Sequence, residues 1–178
     1  MLKMYHYSKH GNTVLKDGLF GIRKSGRSLA LYAHRAQTEE PEKIYEWLDS
    51  TFPGRSQSVS CLTEKIVWQG NDKALKSIVD GCDLFSFELE QLVQDGIVTA
   101  IWCKNGSDAG GYNEKFKKIG LGGIDYSPLT WEKCDSSKDL LFAVVRHYML
   151  VLKDGVIPPR YLPVSYTHLR AHETELHL

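Results

Sequence analysis

Several groups of side chains have the types and spacing to do chemistry. Cys61 with His34 or His147 has the ingredients of a nucleophile–base pair, the imidazole drawing the thiol proton, although the spacing selects neither histidine. Asn105–Gly123 carries Gly106, Gly110, Gly111, Gly120, Gly122 and Gly123, and backbone N–H groups in such a stretch can cradle a phosphate. It contains neither Gly-x-x-x-x-Gly-Lys-Ser/Thr nor Gly-x-Gly-x-x-Gly, so a surface loop is the plainer reading. Lys115-Phe116-Lys117-Lys118 sets three cations around a ring, with Trp102 or Tyr112 as a stacking surface for a nucleic-acid base. The same three lysines also suit a simple solvated face. His168-x-x-x-His172 has helical metal-ligand spacing, but it lies in a segment set aside below.

That segment is the end of the chain. Val164–Thr174 resembles one reading frame of a sequencing adapter, so residues 164–178 are read as a non-native tail, and the natural chain is expected to run on past Pro163. His168, His172 and His177 leave with the tail. The 22 basic and 22 acidic residues of the whole chain become 21 and 20 once Arg170, Glu173 and Glu175 are removed. So even a balance argues against binding nucleic acid by bulk electrostatics alone. An apolar share of 42% with four Trp, nine Tyr and six Phe excludes a disordered chain. No run of apolar residues reaches membrane-spanning length, and the amino end lacks a secretory leader. Cys61, Cys82, Cys103 and Cys134 form no Cys-x-x-Cys pair, so they read as small buried side chains in a reducing, cytoplasmic compartment with no metal site.

The elements that must position these groups follow from pattern. Leu2–Ser8 alternates as a first strand; Val14–Asp17 reads as a helical turn, with Gly18 as a left-handed cap. Gly18–Ile22 reads as extended, and Ser28–Ala33 as strand or helix. Glu39-Glu40-Pro41 starts a helix whose apolar stripe is Ile44, Tyr45, Trp47 and Leu48. Ser58–Thr63, Phe85–Leu89 and Ile97–Cys103 read as strands, Asp72–Val79 as a helix, and Gln91–Gln94 as a helical pull on the strand before it. Asn105–Pro128 reads as loop, Leu140–Leu152 as a buried helix capped by Asp135-Ser136-Ser137, and Ile157-Pro158-Pro159 as extended. The expectation is one α+β domain over residues 1–163, with short, mostly antiparallel strands and a few helices.

Among these elements the most informative segment is Tyr5-His6-Tyr7-Ser8, followed ten residues later by Gly18-Leu19. A strand ending in His-aromatic-Ser, a short helix and then Gly-Leu resembles the opening of the ADP-ribosyltransferase-like superfamily. That group includes the poly-ADP-ribose-polymerase-like enzymes and the RNA 2′-phosphotransferases. The resemblance is carried by this opening and, beyond it, by the order of elements alone. It implies a cleft for NAD or a related nucleotide, lined by His6, Tyr7, Ser8, Gly18 and Tyr32. In it His6 would hydrogen-bond a ribose hydroxyl, Ser8 or a neighbouring backbone group would hold the nicotinamide ribose, and Tyr32, on a later strand, would stack on the nicotinamide.

The resemblance also implies a glutamate facing the cationic sugar as nicotinamide leaves, because a fixed carboxylate in a dry site best meets that developing charge. The Glu88-x-Glu90 pair is similar to that of a second branch of the superfamily, so Glu88 and Glu90 are the expected acids beside His6; Glu64 is a further candidate. Where the polymerase-like branch often places its acid, this chain has Pro158-Pro159-Arg160, and an arginine cannot stabilise a cation. The expected function is nucleotide binding with transfer of ADP-ribose to a macromolecule. The alternative is a non-catalytic bacterial or phage protein acting by protein–protein binding, for which the aromatic content is suited. An RNA-directed relative would need a basic cleft, which the composition does not supply.

Overall fold

Strands form where alternating, β-branched and aromatic residues cluster, and their pairing fixes everything that follows. The computed structural model describes residues 1–27, 29–66, 76, 79–103, 112–121 and 147–163. The strands are β1 (Lys3–Ser8), β2 (Leu19–Phe20), β3 (Ser58–Leu62), β4 (Asp83–Glu88), β5 (Val98–Cys103), β6 (His147–Leu152) and β7 (Val156–Ile157). The helices are α1 (Gly11–Asp17), α2 (Ile22–Ser25), α3 (Leu29–Ala36), α4 (Pro41–Thr51), α5 (Leu89–Gln94) and α6 (Tyr112–Phe116). Five strands make one antiparallel sheet in the order β4-β1-β3-β6-β5, and β2 pairs with β7 in a separate ribbon. The fold is α+β, with antiparallel strands as expected.

Alternation places the core on one face of that sheet. Met4, Val59, Cys61, Phe85, Phe87, Ile101, Tyr148, Leu150 and Leu152 pack with Leu89 and Leu92 of α5 and Phe116 of α6. Each large side chain so buried stabilises the fold by about 1.5–3 kcal/mol. A second cluster joins Tyr32 of α3 to Ile44, Tyr45 and Leu48 of α4. Helix α4 begins with Pro41 in its first turn and Glu42 at its positive end, as its sequence dictates.

Other expectations are corrected. Residues 147–152, expected to be helical, form β6, which pairs with β3 on one side and β5 on the other. Met149 (2% exposed), Leu150 (0%), Val151 (8%) and Leu152 (1%) are buried on both faces, so no polar alternation marks the strand. Ser28–Ala33, left between strand and helix, gives helix α3 from Leu29 onward. The extended reading of Gly18–Ile22 holds for Leu19 and Phe20 alone; Ile22 opens α2, which Gly26 ends in the left-handed region (φ 64°, ψ 3°). Within the expected loop 105–128, Tyr112–Phe116 is helical and Phe116 is fully buried. Asp72–Val79 lies almost wholly outside the described residues, as do the tail 164–178, Cys134 and most of Asn105–Pro128.

Candidate functional site

The site is a cleft of about 330 Å³ beside the carboxyl end of β1. Its floor is the edge where β1 meets β3, lined by His6, Tyr7 and Ser8 from one strand and Ser58, Val59 and Ser60 from the other. Thr13 and Val14 of α1, Gly18, Leu19 and Phe20, and Ser25, Arg27 and Tyr32 also line the cleft. Five residues named from the sequence therefore meet in one cavity: His6, Tyr7, Ser8, Gly18 and Tyr32.

His6 is held in one chemical form. Its Nδ1 lies 2.6 Å from the backbone oxygen of Ser60. A carbonyl oxygen only accepts, so Nδ1 carries the proton and Nε2 keeps a lone pair. Burial lowers the pKa of His6 below its ordinary 6.5, outweighing the opposing effect of the Ser60 bond. At neutral pH the ring is thus an uncharged imidazole whose remaining polar atom is an acceptor, suited to a ligand hydroxyl.

Ser8 is buried, and its Oγ accepts the N–H of His10 at 3.0 Å, which fixes the turn from β1 into α1. Its hydroxyl proton remains available to an acceptor. Gly18 has φ 98° and ψ 177°, so it is extended with positive φ rather than the left-handed cap expected from sequence. Any Cβ there would overlap the carbonyl oxygen of Ile157, and glycine alone lets the chain leave α1 for the β2–β7 ribbon. Tyr32 sits on helix α3, not on a strand; its ring lies 6.4 Å from that of Trp47 and 5.4 Å from the Arg55 guanidinium. The phenol of Tyr7 accepts the N–H of Ile66 at 3.1 Å, and burial pushes its pKa up.

Glu88 and Glu90 do not join the cleft. The β1–β4 register pairs Ser8 with Asp83, His6 with Phe85 and Lys3 with Glu88. Glu88 is thus about 10 Å along the ladder from the level of His6, and an odd step from Phe85 turns it to the other face of the sheet. Its Oε2 is buried with no hydrogen bond among the described residues. Glu90 instead receives the N–H of Leu2 at 3.1 Å and faces the chain's own ammonium at 3.9 Å. The carboxylate that shares a face with Ser8 is Asp83, packed against Gly11 at the start of α1. Glu64 is exposed after β3, and Arg160 stacks on Tyr161 at 4.6 Å, outside the cleft.

The remaining candidates resolve into structure. Cys61 is 1% exposed and burial drives its thiol pKa far up, so no thiolate is available at neutral pH. Register sets Cys61 opposite Tyr148, one residue from His147, and His34 lines a separate groove along α3. Around the three lysines, Phe116 is core, Lys117 pairs with Glu114 at 3.0 Å, and Lys115 lies over Tyr112 at 4.4 Å. Among the described residues no group of three His, Cys, Asp or Glu could hold a metal, and no helix is long and apolar enough to cross a membrane.

Sequence reasoning missed Lys9, His10, Thr13, Ser25 and Arg27, all of which line the cleft. Lys9 and His10 directly follow the motif that pointed to it, and this proximity was the available signal. No protein-family model, curated protein or solved structure matches this chain.

Proposed function

We propose that this chain is an ADP-ribosyltransferase-like domain that binds NAD or a related nucleotide in the β1–β3 cleft. The observation that carries the reading is the meeting of His6, Tyr7, Ser8, Gly18 and Tyr32 around one cavity, because they come from β1, the turn after α1, and α3. The chemistry of the lining agrees. A neutral imidazole offering an acceptor, beside a free hydroxyl proton and a buried aromatic ring, matches a ribose carrying a flat base. The volume lies at the lower end of small-ligand sites and encloses about one nucleotide half.

Transfer of ADP-ribose adds one requirement, a carboxylate facing the ribose. Glu88 is on the opposite face of the sheet and Glu90 on α5, while Asp83, across from Ser8, shares the face of His6 without lining the cleft. Binding and transfer are therefore separate expectations. Titration of the purified chain with NAD by calorimetry is expected to give saturable heat, and His6→Ala is expected to weaken it about tenfold or more through loss of a desolvated hydrogen bond. Equal affinity in the wild type and His6→Ala, or no heat and no thermal shift at millimolar NAD, would remove the reading. Release of nicotinamide over hours is the expected sign of transfer chemistry.

The described surface gives the protein-docking alternative no specific support. Its large exposed apolar side chains are Met1 and Leu31, which form no patch comparable to an interface.

A further inference from the structure

We propose that residues 153–162 form a strap that holds part of the cleft lining shut, and that the Tyr161 phenol on the Asp95 carboxylate is its latch. Such a device operates whatever ligand the cleft takes. Leu19 and Phe20 of β2 line the cleft, with Gly18 just before them. Strand β2 stands apart from the five-stranded sheet, and its strand partner among the described residues is β7. A ribbon of two residues per strand is too small to hold itself, so Leu19 and Phe20 stay where the strap puts them. The join is made by backbone. Leu19 pairs with Ile157 and Phe20 with Val156, the Gly21 N–H donates to the Gly155 oxygen at 2.7 Å, and Gly18 passes too close to the Ile157 carbonyl to admit a Cβ. This part of the lining and the strap therefore move together.

The strap is fastened at successive points. Its Lys153 N–H donates to the Ile97 oxygen at 2.9 Å, and Ile157 and Leu162 are buried in the main core. The 3₁₀ turn Pro159–Tyr161 lies beside α1, which carries the lining residues Thr13 and Val14. At the outer end Tyr161 Oη donates to Asp95 Oδ2 at 2.5 Å and accepts from Arg160 Nη2 at 3.1 Å, while Gln91 Nε2 donates to Asp95 Oδ1 at 3.0 Å. The phenol thus uses both its donor and its acceptor. These bonds, led by that from Tyr161, hold the Asp95 carboxyl below its ordinary 3.8, so the latch stays charged and closed at neutral pH. It joins residues 66 apart in sequence, and it lies at the surface, where it can be undone without disturbing the core. Segments fastened in this way open locally before the fold as a whole does.

The test uses the full chain in wild type, Tyr161→Phe, which keeps the ring and its packing, Asp95→Ala, and the double variant. Amide exchange is read at residues 19–21 and 156–157, with Val59 and Leu150 as controls in the main sheet. In either single variant the strap and β2 amides are expected to exchange about tenfold faster, as loss of one hydrogen bond to a charged group predicts, with the controls unchanged. The double variant is expected to add nothing to the singles, because both remove the same bond. Gating is read by the rate at which diethyl pyrocarbonate acylates the His6 ring, with exposed His34 as the internal reference; an increase of about tenfold at His6 alone is expected in each variant. Unchanged exchange removes the latch. Faster exchange at Val59 and Leu150 as well assigns the bond to global stability, and faster strap exchange with an unchanged His6 rate shows a loose end that gates nothing; either result overturns the proposal. None of these readouts uses a nucleotide, so failure of NAD to bind leaves the strap standing, and failure of the strap leaves the nucleotide reading standing.

Discussion

The bond from His6 Nδ1 to the Ser60 carbonyl does two things to one side chain: it fixes the tautomer, and it partly opposes the fall in pKa that burial brings. The pH dependence follows with a definite sign. Unfolded His6 takes up a proton near pH 6.5, while the folded protein resists it, so below that pH the unfolded state binds more protons. Stability from this group is present above pH 6.5 and lost as the pH falls through it. Urea midpoints measured on either side of pH 6.5 are expected to fall more steeply toward acid in the wild type than in His6→Gln; parallel curves would mean the ring titrates freely. Cys61 makes a simpler prediction. A thiol reagent is expected to leave it unmodified in the native protein and to react on unfolding, and rapid native modification would contradict its burial. At this scale the sequence made His6 and Ser8 legible because a motif surrounds them, whereas Arg27 has none: an exposed arginine acquires meaning only from the concavity it borders. The parity of Glu88 against Phe85 and Phe87 was readable, since a strand with two buried phenylalanines must turn the residue after them to the opposite face of the sheet.

Arg55 decides how the helical elements sit on the sheet. It follows α4, is 2% exposed, and its guanidinium lies 5.4 Å from the Tyr32 ring and 5.6 Å from those of Trp47 and Phe52. Its Nη1 donates to Thr51 Oγ1 at 2.9 Å. Desolvating a cation is costly, and aromatic faces return about 2 kcal/mol each at best, so packing of the long stem is the larger contribution. Arg55→Ala is expected to lose about 2–4 kcal/mol in urea unfolding, and Arg55→Met clearly less. Equal losses would assign the effect to charge. Gly11→Ala is expected to cost about 1–3 kcal/mol, because its Cβ would overlap the Asp83 carboxylate that packs under α1. Amphipathic elements were legible from pattern: β1, β5 and α4 appear where their periodicity puts them. Strand β6 was not, because a segment apolar on every side has no period and only its two partner strands decide its type.

The whole molecule explains why the cleft was hidden from composition. A formal net charge of zero excludes a strongly basic surface but says nothing about where the charges sit. Folding gathers Lys9, His10 and Arg27 on one concavity and leaves Glu40, Glu42 and Glu114 exposed elsewhere, the first just ahead of α4 and the others on helices. The α+β class could be read from the succession of short strands and helices, while the sheet order, which brings β3 beside β1, rests on long-range pairing that local pattern does not encode. The central claim concerns one atom in that assembled cleft, His6 Nε2. The most direct measurement is the nitrogen resonance pair of the His6 ring during titration with NAD. The account predicts a protonated Nδ1 throughout and an Nε2 signal that moves saturably toward that of a hydrogen-bonded acceptor. An Nε2-protonated ring in the free protein, or an Nε2 signal indifferent to saturating NAD, would contradict it.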